Sequence, residues 1–274
     1  MSDSETGEGP VGPTRLCREL LETWDSLFSK TVDPTRPNRM GGILDGLNAP
    51  VHSPKQILEL GTGPGPLTAR ILRRLPDARV VGIDTDPVLL RVARLALRPY
   101  GSRVKLVLAD LRQKGWATEL PVQRFDAVVS SLTLHWLGRE EIRGIYREAR
   151  RLLRPNGVLL NGDYLPSSRI LRRPAAEGTE AQGSAEAARL EATLQAFKRG
   201  WRMWWDTVRT EPTLSAAIQE RRIRIPGSIP PRRTSGPEIP VPVESHRMML
   251  RAAGFRQTRV TWQAGEMRVL RAVR

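Results

Sequence analysis

Two kinds of hydrophobic pattern alternate along this chain. Short continuous apolar runs bounded by turn residues read as strands buried on both faces, and apolar positions recurring every three or four residues read as helices. Runs of the first kind are Ile57-Leu58-Glu59-Leu60, Val80-Val81-Gly82-Ile83-Asp84, Val104 to Leu111, Phe125 to Ser131 and Val158-Leu159-Leu160. A helical pattern follows Gly65, and another carries Ile142, Ile145, Tyr146, Ala149 and Leu152-Leu153. Arg154-Pro155-Asn156-Gly157 stops the second helix before the fifth run. Strand and helix in regular alternation predict an α/β fold on a parallel sheet.

The flanks differ from this middle. Leu16, Leu20, Leu21, Trp24, Leu27 and Phe28 recur at helical spacing, and Asp33 to Arg39, with two prolines, breaks that helix. A second helix with Met40, Ile43, Leu44 and Leu47 runs up to Pro50. After the fifth strand, Ala175 to Ser184 is rich in Ala, Gly and Glu and reads as mobile. Ser184 is placed to cap a helix carrying Leu190, Leu194, Phe197, Trp201, Trp204, Trp205 and Val208 on one broad face. Glu211-Pro212 ends it, Leu214 and Ile218 mark a short helix, and a Pro-rich loop spans 226–242. Ser245 caps a further helix closed by Gly254, and Arg256–Trp262 with Met267–Val273 alternate as a hairpin.

Candidate chemistry sits where the runs end. The first is followed by Gly61-Thr62-Gly63-Pro64-Gly65, three glycines spaced G-x-G-x-G. In open α/β sheets ligands bind at the carboxyl ends of strands, and a Gly-rich turn lets backbone approach them. Pro66 follows Gly65 directly, so the spacing is not the dinucleotide fingerprint. Asp84 ends the second run and is placed to accept both hydroxyls of a ribose, while Asp86 is the better helix cap. Asp110, ending the third run, is placed to accept from a purine amine or to act as a plain loop acid.

The ordered set ELGTGPG, GIDTDP, LADL, FDAVVSSLTLHWL and LLRPNGVLL resembles the class I S-adenosylmethionine-dependent methyltransferases, most closely the branch acting on small molecules. The resemblance spans roughly residues 55–163 and resumes at 244–274. It implies a Rossmann-like seven-stranded sheet with helices on both faces and an antiparallel last strand inserted. It implies that Gly61, Gly63 and Gly65 pack beside the methionine part of the cofactor, with Glu59 helping to hold its amino group. It assigns Asp84 to the ribose, Asp110 and Leu111 to the adenine, and Ser130 or Ser131 to the methionine chain. Arg36 or Arg39 is a candidate for the cofactor carboxylate, against a surface role capping a loop. The sulfonium methyl is already activated, so the protein aligns a nucleophile and removes a proton where one must leave.

For that proton His135, just past the fourth strand, is the candidate base, because imidazole titrates near ~6.5; packing beside Trp136 is its structural alternative. Asp163 and Tyr164 are second candidates. Trp136, Trp204 and Trp205 are expected on the acceptor side, the last two on a helical lid at Ser184–Val208, with ordinary core packing as the competing reading. The chain divides on this reading into a disordered tail (1–13), an N-terminal helical cap (14–50), a cofactor-binding core (51–163 and 244–274) and a substrate lid (164–243).

Composition trims the alternatives. In 274 residues no apolar stretch approaches the ~20 needed for a membrane span. The acidic start, free of basic residues to Pro13, is unlike a signal or transit peptide. One cysteine, Cys17, and three histidines offer neither a disulfide framework nor a metal site, and a cytoplasmic setting fits. No Asn/Asp-Pro-Pro-aromatic motif follows the fourth strand, which argues against methylation of adenine amino groups or glutamine amides. The formal charge of +15 admits nucleic acid as a partner, but only five of the 44 basic residues are lysines and the arginines are spread over every segment. A small-molecule acceptor is therefore preferred. An RNA methyltransferase and a non-catalytic cofactor-binding scaffold are the rivals, and the oligomeric state is left open.

Overall fold

The computed structural model describes residues 12–48, 54–171, 180–225 and 240–274. Residues 1–11 of the expected tail and most of the Pro-rich loop, 226–239, lie outside these, as does 175–179 of the segment expected to be mobile.

Helices α1 (Pro13–Thr31) and α2 (Arg36–Leu47) precede β1 (Gln56–Leu60). Then come α3 (Pro66–Arg74), β2 (Arg79–Asp84), α4 (Pro87–Ala96), β3 (Val104–Leu108) and β4 (Phe125–Ser131). The second half runs α5 (Arg139–Leu152), β5 (Leu153–Tyr164), α6 (Ser168–Leu171), α7 (Glu180–Thr210), α8 (Ser215–Arg224), α9 (Val243–Ala252), β6 (Arg256–Ala264) and β7 (Met267–Val273). Among the described residues the strands form a seven-stranded sheet ordered β3-β2-β1-β4-β5-β7-β6. The first five are parallel, and β7 lies antiparallel between β5 and β6. The chain turns leftward after β1 and rightward at β4, so the sheet's switch point lies between β1 and β4, where such sheets open a crevice.

Alternate strand residues divide the core. Leu58, Leu60, Val128 and Leu159 face Tyr146, Ile145 and Leu250 of α5 and α9. Ile57, Val80, Val129 and Leu160 face Met40, Ile43 and Ile71 of α2 and α3. A third cluster joins α1, α4, α7 and α8 through Cys17, Leu20, Val88, Val92, Trp204, Trp205 and Ile218. Burial pushes the Cys17 thiol up to about 11, consistent with a packing residue rather than a nucleophile.

Several boundaries differ from the sequence pattern. The second helix begins at Arg36, inside the stretch expected to be a break, because Pro37 fits the first helical turn, where no amide is needed. The third strand stops at Leu108, leaving Ala109 to Leu111 in the turn beyond it. Ser184 lies inside α7, which starts at Glu180. Ser245 likewise lies inside α9, whose N-cap is Pro242. The hairpin forms as expected, turning at Gly265 with φ +55°.

Candidate active site

The glycine turn links β1 to α3. Gly61, Gly63 and Gly65 all have positive φ, at +71°, +55° and +96°. At Gly61 a Cβ would lie 2.2 Å from Thr133 Oγ1 of the segment after β4, so the absent side chain lets the two loops meet. At Gly63 an added Cβ would meet nothing, so backbone alone borders open space there. The Gly63 N–H donates to Asp84 Oδ2 at 2.8 Å, and the Asp86 N–H donates to Asp84 Oδ1 at 3.0 Å. Two strand ends are thereby tied by one carboxylate. Burial, with Asp86 nearby, pushes Asp84 up to about 6 despite these donors.

Glu59 lies deeper. The hydroxyls of Thr62 (3.1 Å) and Thr68 both donate to its Oε2. Burial pushes its carboxyl up to about 7. Glu59 therefore braces the loop from beneath through hydroxyls, a role the motif did not indicate. Asp110 is held by Arg112 through paired contacts of 2.9 and 2.7 Å, and Leu111 is half-buried against the core. The bidentate Arg112 holds the Asp110 carboxyl below the usual range.

Across the switch point, Ser130 Oγ donates to Leu60 O at 3.2 Å and is buried. Arg39, fully buried, donates from Nη1 to Ser131 Oγ at 2.9 Å and to Gly162 O at 2.6 Å, and pairs with Asp33 at 2.9 Å. Arg36 pairs with Asp25 at 2.7 Å. Both guanidinium groups tie α2 to its neighbours.

The principal addition by the fold is at His135. Its Nδ1 is 2.7 Å from Asp163 Oδ1, and its backbone N–H donates to Asp163 Oδ2 at 3.2 Å. Asp163 is fully buried at the end of β5 and also accepts from the Tyr164 N–H at 2.8 Å. Burial alone would raise this carboxyl, but His135, Arg39 and the Tyr164 N–H hold it below the usual carboxylate range. An ionised Asp163 favours the tautomer with the proton on Nδ1, leaving Nε2 as an acceptor. The imidazole is 20% exposed. Trp136 stands beside it, ring centroids 4.7 Å apart and 37% exposed, and Tyr164 is 39% exposed. The first two candidates for base, His135 and Asp163, are thus one unit: the carboxylate orients and the imidazole faces out.

Trp204 and Trp205 are elsewhere. They are 1% and 0% exposed, packed on α1 and α4, and the Trp204 indole N–H donates to Leu20 O at 2.8 Å. Trp24, Phe28, Phe197 and Trp201 complete an aromatic stack. The expected substrate-facing lid surface is a buried interface, because α1 needs a partner for the same apolar face that its own sequence displays. Arg221 was not singled out by any sequence pattern. Its Nε lies 2.6 Å from Asp86 Oδ2, and its guanidinium lies 5.2 Å over the Trp205 ring.

A family model described as a methyltransferase domain matches residues 57–157, the stretch from β1 to the turn inside β5. Over that stretch the chain is similar to methyltransferase domains. Trans-aconitate 2-methyltransferase of Azoarcus sp. (strain BH72) is 36% identical to this chain over 157 residues, 56% of either chain. The enzyme of the same name from Escherichia coli (strain K12 / DH10B) is 32% identical over 130 residues, 46% of this chain and 47% of its own. The chain spans about half the length of the curated relatives it matches. Among solved structures, an O-methyltransferase family protein from Burkholderia thailandensis has a TM-score of 0.55 at 16% identity, covering 98% of this chain and 73% of that one. Human N-acetylserotonin methyltransferase, in complex with SAM, has 0.54 at 13%, covering 95% and 55%. At such identities the likeness concerns the fold. The Gly loop, Asp84 and the His135–Asp163 pair share the carboxyl edge of the sheet. No helix among the described residues is long and apolar enough to cross a membrane.

Proposed function

We propose that this chain is an S-adenosylmethionine-dependent methyltransferase acting on a small-molecule acceptor, with His135 as general base for a hydroxyl. The observation that carries the cofactor assignment is the Asp84 carboxylate, tied to the Gly63 N–H at 2.8 Å, beside a turn of three left-handed glycines where an added Cβ on Gly63 would meet nothing. These residues fit the group: the glycines admit its methionine part, Asp84 accepts the ribose hydroxyls, and Asp110 with Leu111 borders the adenine. Ser130 and Ser131 stand at the switch point, on the methionine side. When bound, the cofactor supplies an activated methyl group.

The remaining work belongs to the chain. His135 Nε2 accepts the acceptor's proton, and Asp163 keeps the imidazole in the required tautomer and stabilises its charge. The half-exposed Trp136 and Tyr164 provide apolar surface on which an acceptor is aligned. The named activity of the curated relatives, on trans-aconitate, supports a small-molecule acceptor. The net charge of +15 is what favours RNA as the rival acceptor; a steep fall of RNA affinity with salt would support that reading instead.

Calorimetry tests the assignment. S-adenosylhomocysteine should bind the protein and NAD should not. Binding of NAD without binding of S-adenosylhomocysteine would overturn it.

A further inference from the structure

Arg221 lies in α8, in the segment between β5 and β6, far in sequence from the glycine loop, yet it is built into the cofactor edge. Its Nε meets Asp86 Oδ2 at 2.6 Å, with side-chain exposures of only 4% and 10%. The other Asp86 oxygen caps α4, accepting from the Val88 N–H at 2.9 Å and the Leu89 N–H at 3.4 Å. The backbone N–H of the same Asp86 donates to Asp84 Oδ1 at 3.0 Å. The far face of Arg221 rests on the ring of fully buried Trp205. One continuous path thus runs from the aromatic stack of α7 through Arg221 and Asp86 to the acid at the end of β2.

We infer that Arg221 is a positioning residue for the cofactor: by pairing with Asp86 it fixes the turn after β2 in the geometry that presents Asp84 to the ribose. The inference rests on the cofactor reading given above. A helix cap alone does not need this arginine, since a carboxylate at an N-cap is already favourable with solvent. What the arginine adds is compensation of a buried anion one residue removed from a second anion. The charged groups around Asp84 are Glu59 from β1, Asp86 at the start of α4 and, through Asp86, Arg221 from α8; Arg36 of α2 acts on Glu59. Its donors are the N–H groups of Gly63, Thr85 and Asp86. Asp84 is already pushed up to about 6 by burial and by Asp86. Removing the arginine alone leaves Asp86 uncompensated and makes the ionised Asp84 harder to keep.

The test is calorimetric titration of the full chain with S-adenosylhomocysteine from pH 5 to 8, for wild type, R221M, D86N and the double variant, with Tm measured in parallel. R221M should move the pH midpoint of binding up by about one unit, raising Kd about twofold at pH 7 and about tenfold at pH 5. D86N retains a capping side chain and should move the midpoint down, because the positive charge is then unpaired. The double variant should return the midpoint to near its wild-type value. Opposite shifts are a signature of charge that loss of packing does not produce, and D86N supplies one of them even if R221M fails to fold. A wild type that binds while the variants change Tm with Kd and midpoint unmoved overturns the inference and leaves the cofactor reading standing. A wild type that does not bind at all removes both.

Discussion

The carboxyl ends of β1 and β2 and those of β4 and β5 flank the same switch point of the sheet, but they are assembled differently. The edge is held by backbone on the β1–β2 side: three left-handed glycines, and an Asp84 carboxylate held by main-chain N–H groups. On the β4–β5 side it is held by side chains. His135 and Asp163, 28 positions apart, are joined at 2.7 Å, and Arg39 reaches Ser131, 92 positions away. On the proposed function, the first side binds a group that is the same in every turnover, and a short rigid motif suffices. The second would then hold and deprotonate an acceptor, which needs an oriented, partly exposed titratable group.

Variants should separate the two sides, and the largest effect is expected from neither. Trp204→Ala should cost about 3–5 kcal/mol of stability, the usual range for a fully buried large aromatic, and it removes the indole N–H bond to the Leu20 carbonyl. Its signature is a lowered Tm in thermal unfolding, with cofactor and acceptor binding reduced together. Loss of acceptor binding alone would restore the aromatic face to the acceptor side.

His135→Ala comes next, and it should fall wholly on the β4–β5 side. The value of kcat should drop by at least ~10²-fold, with the acidic limb of the pH profile lost and cofactor Kd nearly unchanged. Asp163→Asn should follow in the same direction, because the amide no longer selects the Nδ1–H tautomer. A drop below tenfold with the limb intact would make His135 a packing partner of Trp136.

Asp84→Ala should strike the other side. Cofactor binding should weaken by ~1.5–3 kcal/mol, the scale of hydrogen bonds to a charged group, measured by calorimetry. The fold should persist, because Val80, Val81 and Ile83 of the same strand supply its core contacts.

The smallest effect concerns pH and sharpens the contrast within the cofactor side itself. Glu59 and Asp84 are raised to about 7 and about 6 from 4.5 and 3.8 in the folded chain. A raised carboxyl contributes stability below its unfolded value, and that contribution is lost as pH rises through its folded value. From these two acids the ligand-free protein should therefore gain stability on acidification from about 7 toward 4. Ribose hydroxyls need the ionised Asp84, so cofactor affinity should fall as pH drops through about 6. The two trends run in opposite directions. Asp84→Asn should flatten the binding trend and part of the stability trend; parallel trends would show that Asp84 does not meet the cofactor.

Much of the fold was legible because it is written locally. Five apolar runs and their turn residues placed the parallel strands, and alternation at Arg256–Trp262 and Met267–Val273 placed the hairpin. Errors fell where local signals compete. Pro37 read as a breaker but serves as a helix starter, and Ser184 and Ser245 read as caps although longer helices ran past them. The glycine loop and Asp84 were legible for the same reason as the strands: left-handed turns demand glycine, and an acid ending a buried strand has few other uses.

What the sequence by itself determined is thus the α/β framework and the cofactor edge, whose parts are consecutive residues with conformational needs only certain side chains meet. The tertiary structure alone decided which distant side chains meet. It joined Asp163 to His135, sent Arg39 and Arg36 to Asp33 and Asp25, turned the tryptophans of α7 into the core, and set Arg221 against Asp86. Those choices depend on burial: a carboxylate or guanidinium removed from water must find an opposite charge, and an apolar helix face must find another. Which partner is within reach is a property of the packed chain, not of any stretch of it.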